Sequence, residues 1–298
     1  MATLHVIDGA SGASANLVVR KIGFADLKDA IANGIGDFMA MPTHVILLSV
    51  IYPIVGLILA RLSFGYDMMP ILFPLAAGFA LIGPFAAIGL YELSRRREEG
   101  LDTSWKHAFE VARSSSADAI LVLALMLVAL FVAWLAVAQS LYQALFGYAT
   151  PDSIGQFLNQ IFTTPEGWTL IVVGNAIGFL FAVAAFAISV VSFPLLIDHD
   201  VGAVVAIHTS VKAVLMNPIV MAAWALFIVA ALVIGALPFF VGLAVVMPIL
   251  GHASWHLYRK VVAPVDTPRP TLHRARKGRR YAADFPSSLF PWSRDDRD

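Results

Sequence analysis

The chain has 298 residues, 59% of them hydrophobic and only 13% charged, with zero net charge and no cysteine. A water-exposed surface for a chain of this length needs about 25% Asp, Glu, Lys and Arg, so a soluble globular protein is excluded. The absence of cysteine excludes disulfides, thiolate nucleophiles, Cys-ligated zinc and iron–sulfur clusters.

In chain order, residues 1–22 are small and mixed in character and predict a disordered segment. They lack the basic start and apolar core of a secretory signal, so the first span is expected to act as an uncleaved anchor. FADLKDAIANGIGDFMAMP follows. Phe24, Leu27, Ile31, Ile35 and Phe38 share one helical face, and Asp26, Asp29, Asn33 and Asp37 lie away from it. Apolar blocks then run over Thr43–Ala60 and Pro70–Tyr91. Next comes DTSWKHAFEVARSSS, a second amphipathic stretch with Trp105, Phe109 and Ala112 in its stripe and Asp102 or Thr103 as N-cap.

Blocks Ala119–Leu145 and Trp168–Ile197 come next, joined by a connection over Phe146–Gly167. The second of these is ~45 Å long at 1.5 Å per residue and must tilt, kink near Pro194 or project from the bilayer. It ends in FPLLIDHDVG, where Asp198, His199 and Asp200 are expected in a solvated cap, with Asp200 capping the next helix. A third amphipathic stretch has Val204, Ile207 or His208, Val211 and Leu215 on one face. Blocks Ile219–Leu237 and Pro238–Tyr258 complete the set.

These blocks predict an all-α membrane protein with six transmembrane helices, each needing about 20 apolar residues. They group as three repeats of an amphipathic surface helix and two spans. The first and third surface helices end alike, in FMAMP and VLMNP, and the outgoing spans share LIGPFA, VSFPLL and VVMPIL. Three regions result: 1–22 disordered, 23–262 a membrane domain, and 263–298 a basic, disordered tail. Of the 20 Lys and Arg, only Arg61 falls in the alternate set of loops. Cationic loops stay cytoplasmic, which puts both termini on that side.

GDFMAMPTHVILLSVIYP, LIGPFAAIGLYELSRRREEG, FPLLIDHDVG and GHASWHLYRK together resemble a bacterial family of uncharacterised predicted integral membrane proteins, a domain of unknown function. The resemblance extends over about Arg20 to Val262. It implies a multi-pass location in the bacterial inner membrane and assigns no catalytic residues. Some members carry an oxidase association, which implies imidazoles on facing spans.

Against that implication, His252 and His256 form an i, i+4 pair on one helix face, with His44 as a third candidate metal ligand. Two ligands on one helix are insufficient, and Trp255, Tyr258, Arg259 and Lys260 beside them read as an interfacial anchor. No CxxCH is present for covalent haem. Gly174, Asn175 and Gly178 are candidates for close helix packing, with Asn175 bonding across an interface, or for a solute site. Arg274, Arg276, Lys277, Arg279 and Arg280 form a polybasic run suited to anionic lipid headgroups.

No Asp, Glu, Lys or Arg falls at mid-depth in the six blocks, and no nucleophile–base pair or phosphate loop is visible. The reading is a non-enzymatic role in membrane organisation, assembly or interaction. No cofactor is called for. The expected partners are the bilayer and a membrane protein, with no nucleic acid. Transport of an uncharged or amphiphilic solute is the alternative, and a metal- or haem-binding membrane protein the third.

Overall fold

A computed structural model describes residues 17–41, 87–148, 153–238, 240–264 and 269–271, with the single positions Ile54, Pro74 and Gly83. Most of the first two apolar blocks and His44 lie outside the described residues, as do residues 1–16 and the polybasic run from Arg274 to Arg280. What is described is helical. The helices are α1 (Phe24–Ala40), α2 (Ile88–Glu98), a 3-10 helix (Trp105–Arg113), α3 (Ala117–Phe146), α4 (Ile154–Thr163), α5 (Pro165–Ser189), α6 (Ser192–Asp198), α7 (Ala203–Met216), α8 (Pro218–Ala236) and α9 (Leu243–Val261).

Among the described residues, three stretches are long and apolar enough to cross a membrane: α3 with 30 residues, Pro165–Asp198 with 34, and α8 with 19. They coincide with the third, fourth and fifth apolar blocks. Leu125 and Val132 on α3, Val172 and Phe179 on α5, and Leu226 and Val233 on α8 face outward. Side chains of that kind belong against hydrocarbon. The sixth block is helical as α9 from Leu243.

The fourth block is not one continuous helix. It breaks at Val190–Val191, between α5 and α6. Pro194 has no N–H to return to the Val190 carbonyl. Ser189 donates its hydroxyl back to Ala185 O at 2.7 Å, a bond that bends helices. The Val191 N–H leaves the ladder and donates to Ser210 Oγ of α7 at 3.1 Å. Every residue of α6 is buried, and Phe193, Leu195 and Leu196 are fully so. This short helix packs against α2, α3, α7 and α9 at the centre of the bundle.

The connection between the third and fourth blocks contains α4. Ser153 caps it, accepting from Gln156 N at 3.2 Å, and Thr164 caps α5 by accepting from Gly167 N at 3.0 Å. Pro165 opens α5 at a position where its missing N–H is harmless.

Helix α1 lies antiparallel to α9. Lys260 sits 3.3 Å from Asp29, and Gly34 meets Ala253 further along. The approach at Gly34 is close enough that a Cβ there would fall 2.6 Å from Ala253 N. Residues 17–22, expected to be disordered, are instead held. Val19 bridges Val262, and Arg20 N donates to Val261 O at 2.7 Å. Asn217, the polar residue of VLMNP, accepts from Ile22 N at 2.9 Å and donates to Arg20 O at 3.0 Å. Asn217 thus ties the N-terminal strand-like segment to the α7–α8 corner. Tail residues also pack. Thr271 O accepts from Ser115 N at 2.9 Å, and Arg269 pairs with Glu99 at 2.6 Å.

Gly34→Ala is expected to lower the unfolding midpoint in detergent. The added methyl clashes with backbone rather than a movable side chain, an overpacking cost of about 1–3 kcal/mol. This exceeds the roughly 1 kcal/mol that Ala contributes over Gly in a helix. A raised midpoint would contradict the α1–α9 contact.

Candidate functional site

The inward face of α1 consists of Leu27, Ala30, Gly34 and Asp37. Asp37 was expected away from the packed face. It is 3% exposed and sits between α2 and α9. Ser94 Oγ of α2 donates to its carboxylate at 2.6 Å, and His256 Nε2 of α9 lies 2.9 Å away. Arg97 of α2 supplies the ion pair. Small residues at positions 30 and 34 let α1 come close enough for these donors to converge.

His252 is fully buried one turn before His256, with Nδ1 2.7 Å from Ser94 Oγ. Ser94 has one proton and gives it to the carboxylate, so His252 must donate its Nδ1–H to Ser94. That tautomer leaves Nε2 an acceptor, with no partner among the described residues. The order is imidazole to hydroxyl to carboxylate. In a hydrolytic triad the hydroxyl instead gives its proton to the imidazole. Ser94 is also fully buried. The described geometry therefore places a structural relay here, with no exposed nucleophile.

Burial raises the Asp37 pKa, but the hydrogen bonds from His256 and Ser94 outweigh it and hold it below the ordinary 3.8. Beside the relay, Glu92 is buried and gripped by Arg95 at 2.8 Å and by Arg96 at 3.6 Å.

A second hub lies where α2, α6 and α9 meet. The opening of FPLLIDHDVG to solvent is not seen: Asp198, His199 and Asp200 are all buried. Tyr258 OH donates to Asp198 at 2.8 Å, Arg259 at 3.0 Å, and His199 Nε2 lies 3.2 Å away. Asp200 does not cap α7. It accepts from Ser115 Oγ at 2.6 Å, and the α7 N-cap is Gly202 at φ 75°, a left-handed conformation suited to glycine. Trp255 and Tyr258 are not interfacial anchors either. Both are buried, and Trp255 donates its indole N–H to Glu98 at 3.0 Å.

The structure brings His252 and His256 together, as the spacing implies, but on a carboxylate already committed to Ser94 and Arg97. Among the described residues, no group of three His, Asp or Glu is arranged to hold a metal ion. Gly178 packs under Trp134 of α3, where a Cβ would fall 2.9 Å from the ring, and Gly174 faces Leu141. Asn175 is exposed on the outer side of α5, and its amide donates to Ile171 O of its own helix at 2.7 Å. Among the described residues it makes no bond across the interface.

In the second amphipathic stretch the N-cap is Ser104 without a side-chain bond. Asp102 instead lies 2.9 Å from His107 Nε2, and Glu110 lies 2.8 Å from Nδ1. Hydrogen bonds to Glu110 and Asp102 raise the His107 pKa above 6.5.

Residues 72–198 match a family model described as a predicted integral membrane protein. This family model, DUF2189, is a domain of unknown function and matches less than half of the chain. The match and the candidate spans among the described residues agree in pointing to an integral membrane protein. No curated protein and no solved structure matches. The DUF2189 stretch contains Ser94, Arg97, Glu98 and Asp198. Asp37, His252, His256, Tyr258 and Arg259 lie outside it, so both hubs join the domain to its flanking helices.

Stability should fall at both pH extremes. The Asp37 pKa is depressed by folding, so its contribution is complete above 3.8 and is lost as pH falls through the folded value. The His107 pKa is raised, so its contribution is complete below 6.5 and is lost as pH rises through the folded value. Asp37→Asn should cost about 2–3 kcal/mol near neutrality, the scale of hydrogen bonds to a charged group. It should also flatten the acid limb of unfolding midpoint against pH. His107→Gln should flatten the upper limb, and unchanged limbs would contradict both assignments.

Proposed function

We propose that the chain is a six-span bacterial inner-membrane protein with both termini cytoplasmic, and that it organises or assembles membrane components without catalysing a reaction. One observation carries this reading: the buried charged and polar side chains of α1, α2, α6 and α9 are engaged with one another, in clasps that fix helix positions. Catalysis would require such groups to meet a substrate.

The threefold organisation belongs to the same proposal. Surface segments at Phe24–Ala40, Trp105–Arg113 and Ala203–Met216 each precede apolar blocks, with α3 and α5–α6 after the second and α8 and α9 after the third. The polybasic tail adds attraction to anionic headgroups, about 1 kcal/mol per cation near the surface.

The break between α5 and α6, with Pro248 inside α9, favours a second reading, passage of an uncharged or amphiphilic solute. Interrupted helices are where such sites form.

Gentle extraction of the full chain, followed by identification of what accompanies it, separates the two. The assembly role predicts a stoichiometric protein partner. A chain shortened after Thr271 keeps its packing on Ser115 but loses the basic run, and should lose that partner. The same protein set with and without the tail, together with a bound solute that Asn175→Leu removes, would favour passage instead.

A further inference from the structure

The three surface segments share an orientation that their sequences do not announce. Each leaves some large apolar side chains exposed on one face and buries mainly small or polar ones on the other, with Leu27 of α1 and Val111 of the 3-10 helix also buried. On α1, Phe24 and Met39 are 60% and 69% exposed, while Ala30, Gly34 and Asp37 face α9. On α7, Val204 and Leu215 point outward, Leu215 at 73%, while Ala206, Ser210 and Ala213 are buried. The middle segment achieves the same result differently. At three residues per turn, a 3-10 helix stacks Lys106, Phe109 and Ala112 on one side and Ala108 and Val111 on another. The latter pair is buried, and Phe109 is 60% exposed with Trp105 edge-on at 6.0 Å.

In water this arrangement is inverted, because burial of apolar surface drives the large side chains inward. Two observations name what covers them. An exposed lysine flanks each apolar arc: Lys28 on α1, Lys106 on the 3-10 helix and Lys212 on α7. Each of the last two segments is also followed within a few residues by a candidate span. Arg113 precedes α3 by three residues, and Met216 is separated from α8 by Asn217 alone. Three residues reach at most about 10 Å, so the C-terminal ends of these two segments stay close to the start of a candidate span.

We infer that the outward faces of α1, the 3-10 helix and α7 are seated in an anionic lipid surface, with Lys28, Lys106 and Lys212 on headgroup phosphates. The apolar side chains enter the acyl boundary, and the lysine stems lie along them with their ammonium groups raised to the phosphates. The three segments then form a lipid-bound collar around the helix bundle. This placement needs only that the chain is an integral membrane protein, so it stands or falls separately from the assembly role.

The chain contains no cysteine, so single-cysteine variants can carry one nitroxide each. Met39→Cys, Phe109→Cys and Leu215→Cys would be made in the full chain and reconstituted in phosphatidylglycerol-containing vesicles. Val132→Cys on the outer face of α3 serves as the lipid reference, and Asn33→Cys on the polar face of α1 as the water reference. The three test labels should be reached by oxygen in preference to a water-soluble nickel chelate, as at Val132, and Asn33 should show the reverse. Nickel access matching Asn33 would overturn the inference. So would an immobilised label shielded from both reagents, the signature of a protein partner on these faces.

Replacing Lys28, Lys106 and Lys212 with Glu tests the headgroup half. The Phe109 label should lose its oxygen preference in phosphatidylglycerol vesicles while the Val132 label keeps it, which shows the bundle still folded. An unchanged Phe109 label would remove the anionic headgroups from the proposal.

Discussion

The bundle depends on where one carboxylate goes. Removing Asp37 from water costs several kcal/mol unless its charge is matched and its oxygens bonded. The matching groups are Ser94 and Arg97 on α2 and His256 on α9, so three helices must arrive in one register to satisfy a single side chain. Apolar contacts alone would allow α1 to slide or rotate along α9 at little cost. The fixed geometry of four polar groups does not. Gly34 and Ala30 serve the same end, since a bulkier α1 face would hold the donors out of reach.

A second clasp repeats this logic at α6. Tyr258 and Arg259 reach Asp198 from α9, and Trp255 and Arg259 reach Glu98 on α2. Because α6 is cut from α5 at Val190, it can be steered into the centre while α5 keeps the direction of a span. The chain ends are fastened near the same region: residues 18–20 along Val261–Ala263, and Thr271 on Ser115. The DUF2189 stretch, bounded by 72 and 198, supplies one side of each clasp and the flanking helices the other.

Polar residues inside and apolar residues outside is the pattern expected where lipid, not water, is the surrounding solvent. Helices in that setting gain nothing by hiding leucine from an equally apolar neighbour. They associate through small residues that allow close contact and through hydrogen bonds between helices. Gly178 under Trp134, Gly34 against Ala253 and the Ser94–Asp37–His256 group are each an instance.

Long apolar blocks and the low share of charged residues made the membrane class readable from sequence, and three of the blocks recur as span-length helices among the described residues. The placing of His252 and His256 on one helix face followed from helical spacing alone. The placement of Asp37 did not. Helical periodicity divides α1 into an apolar and a polar arc, but it is silent on which arc meets protein. A reader assuming water turns Phe24 and Ile35 inward and Asp37 outward. Likewise Asp198, His199 and Asp200 look like a solvated turn until α9 is folded over them, sixty residues later in the chain. Sequence determined which segments are helical and that the surroundings are lipid, because both are local properties of composition. Only the tertiary structure decided which faces are buried, because in lipid that choice rests on polar partners distant in the chain.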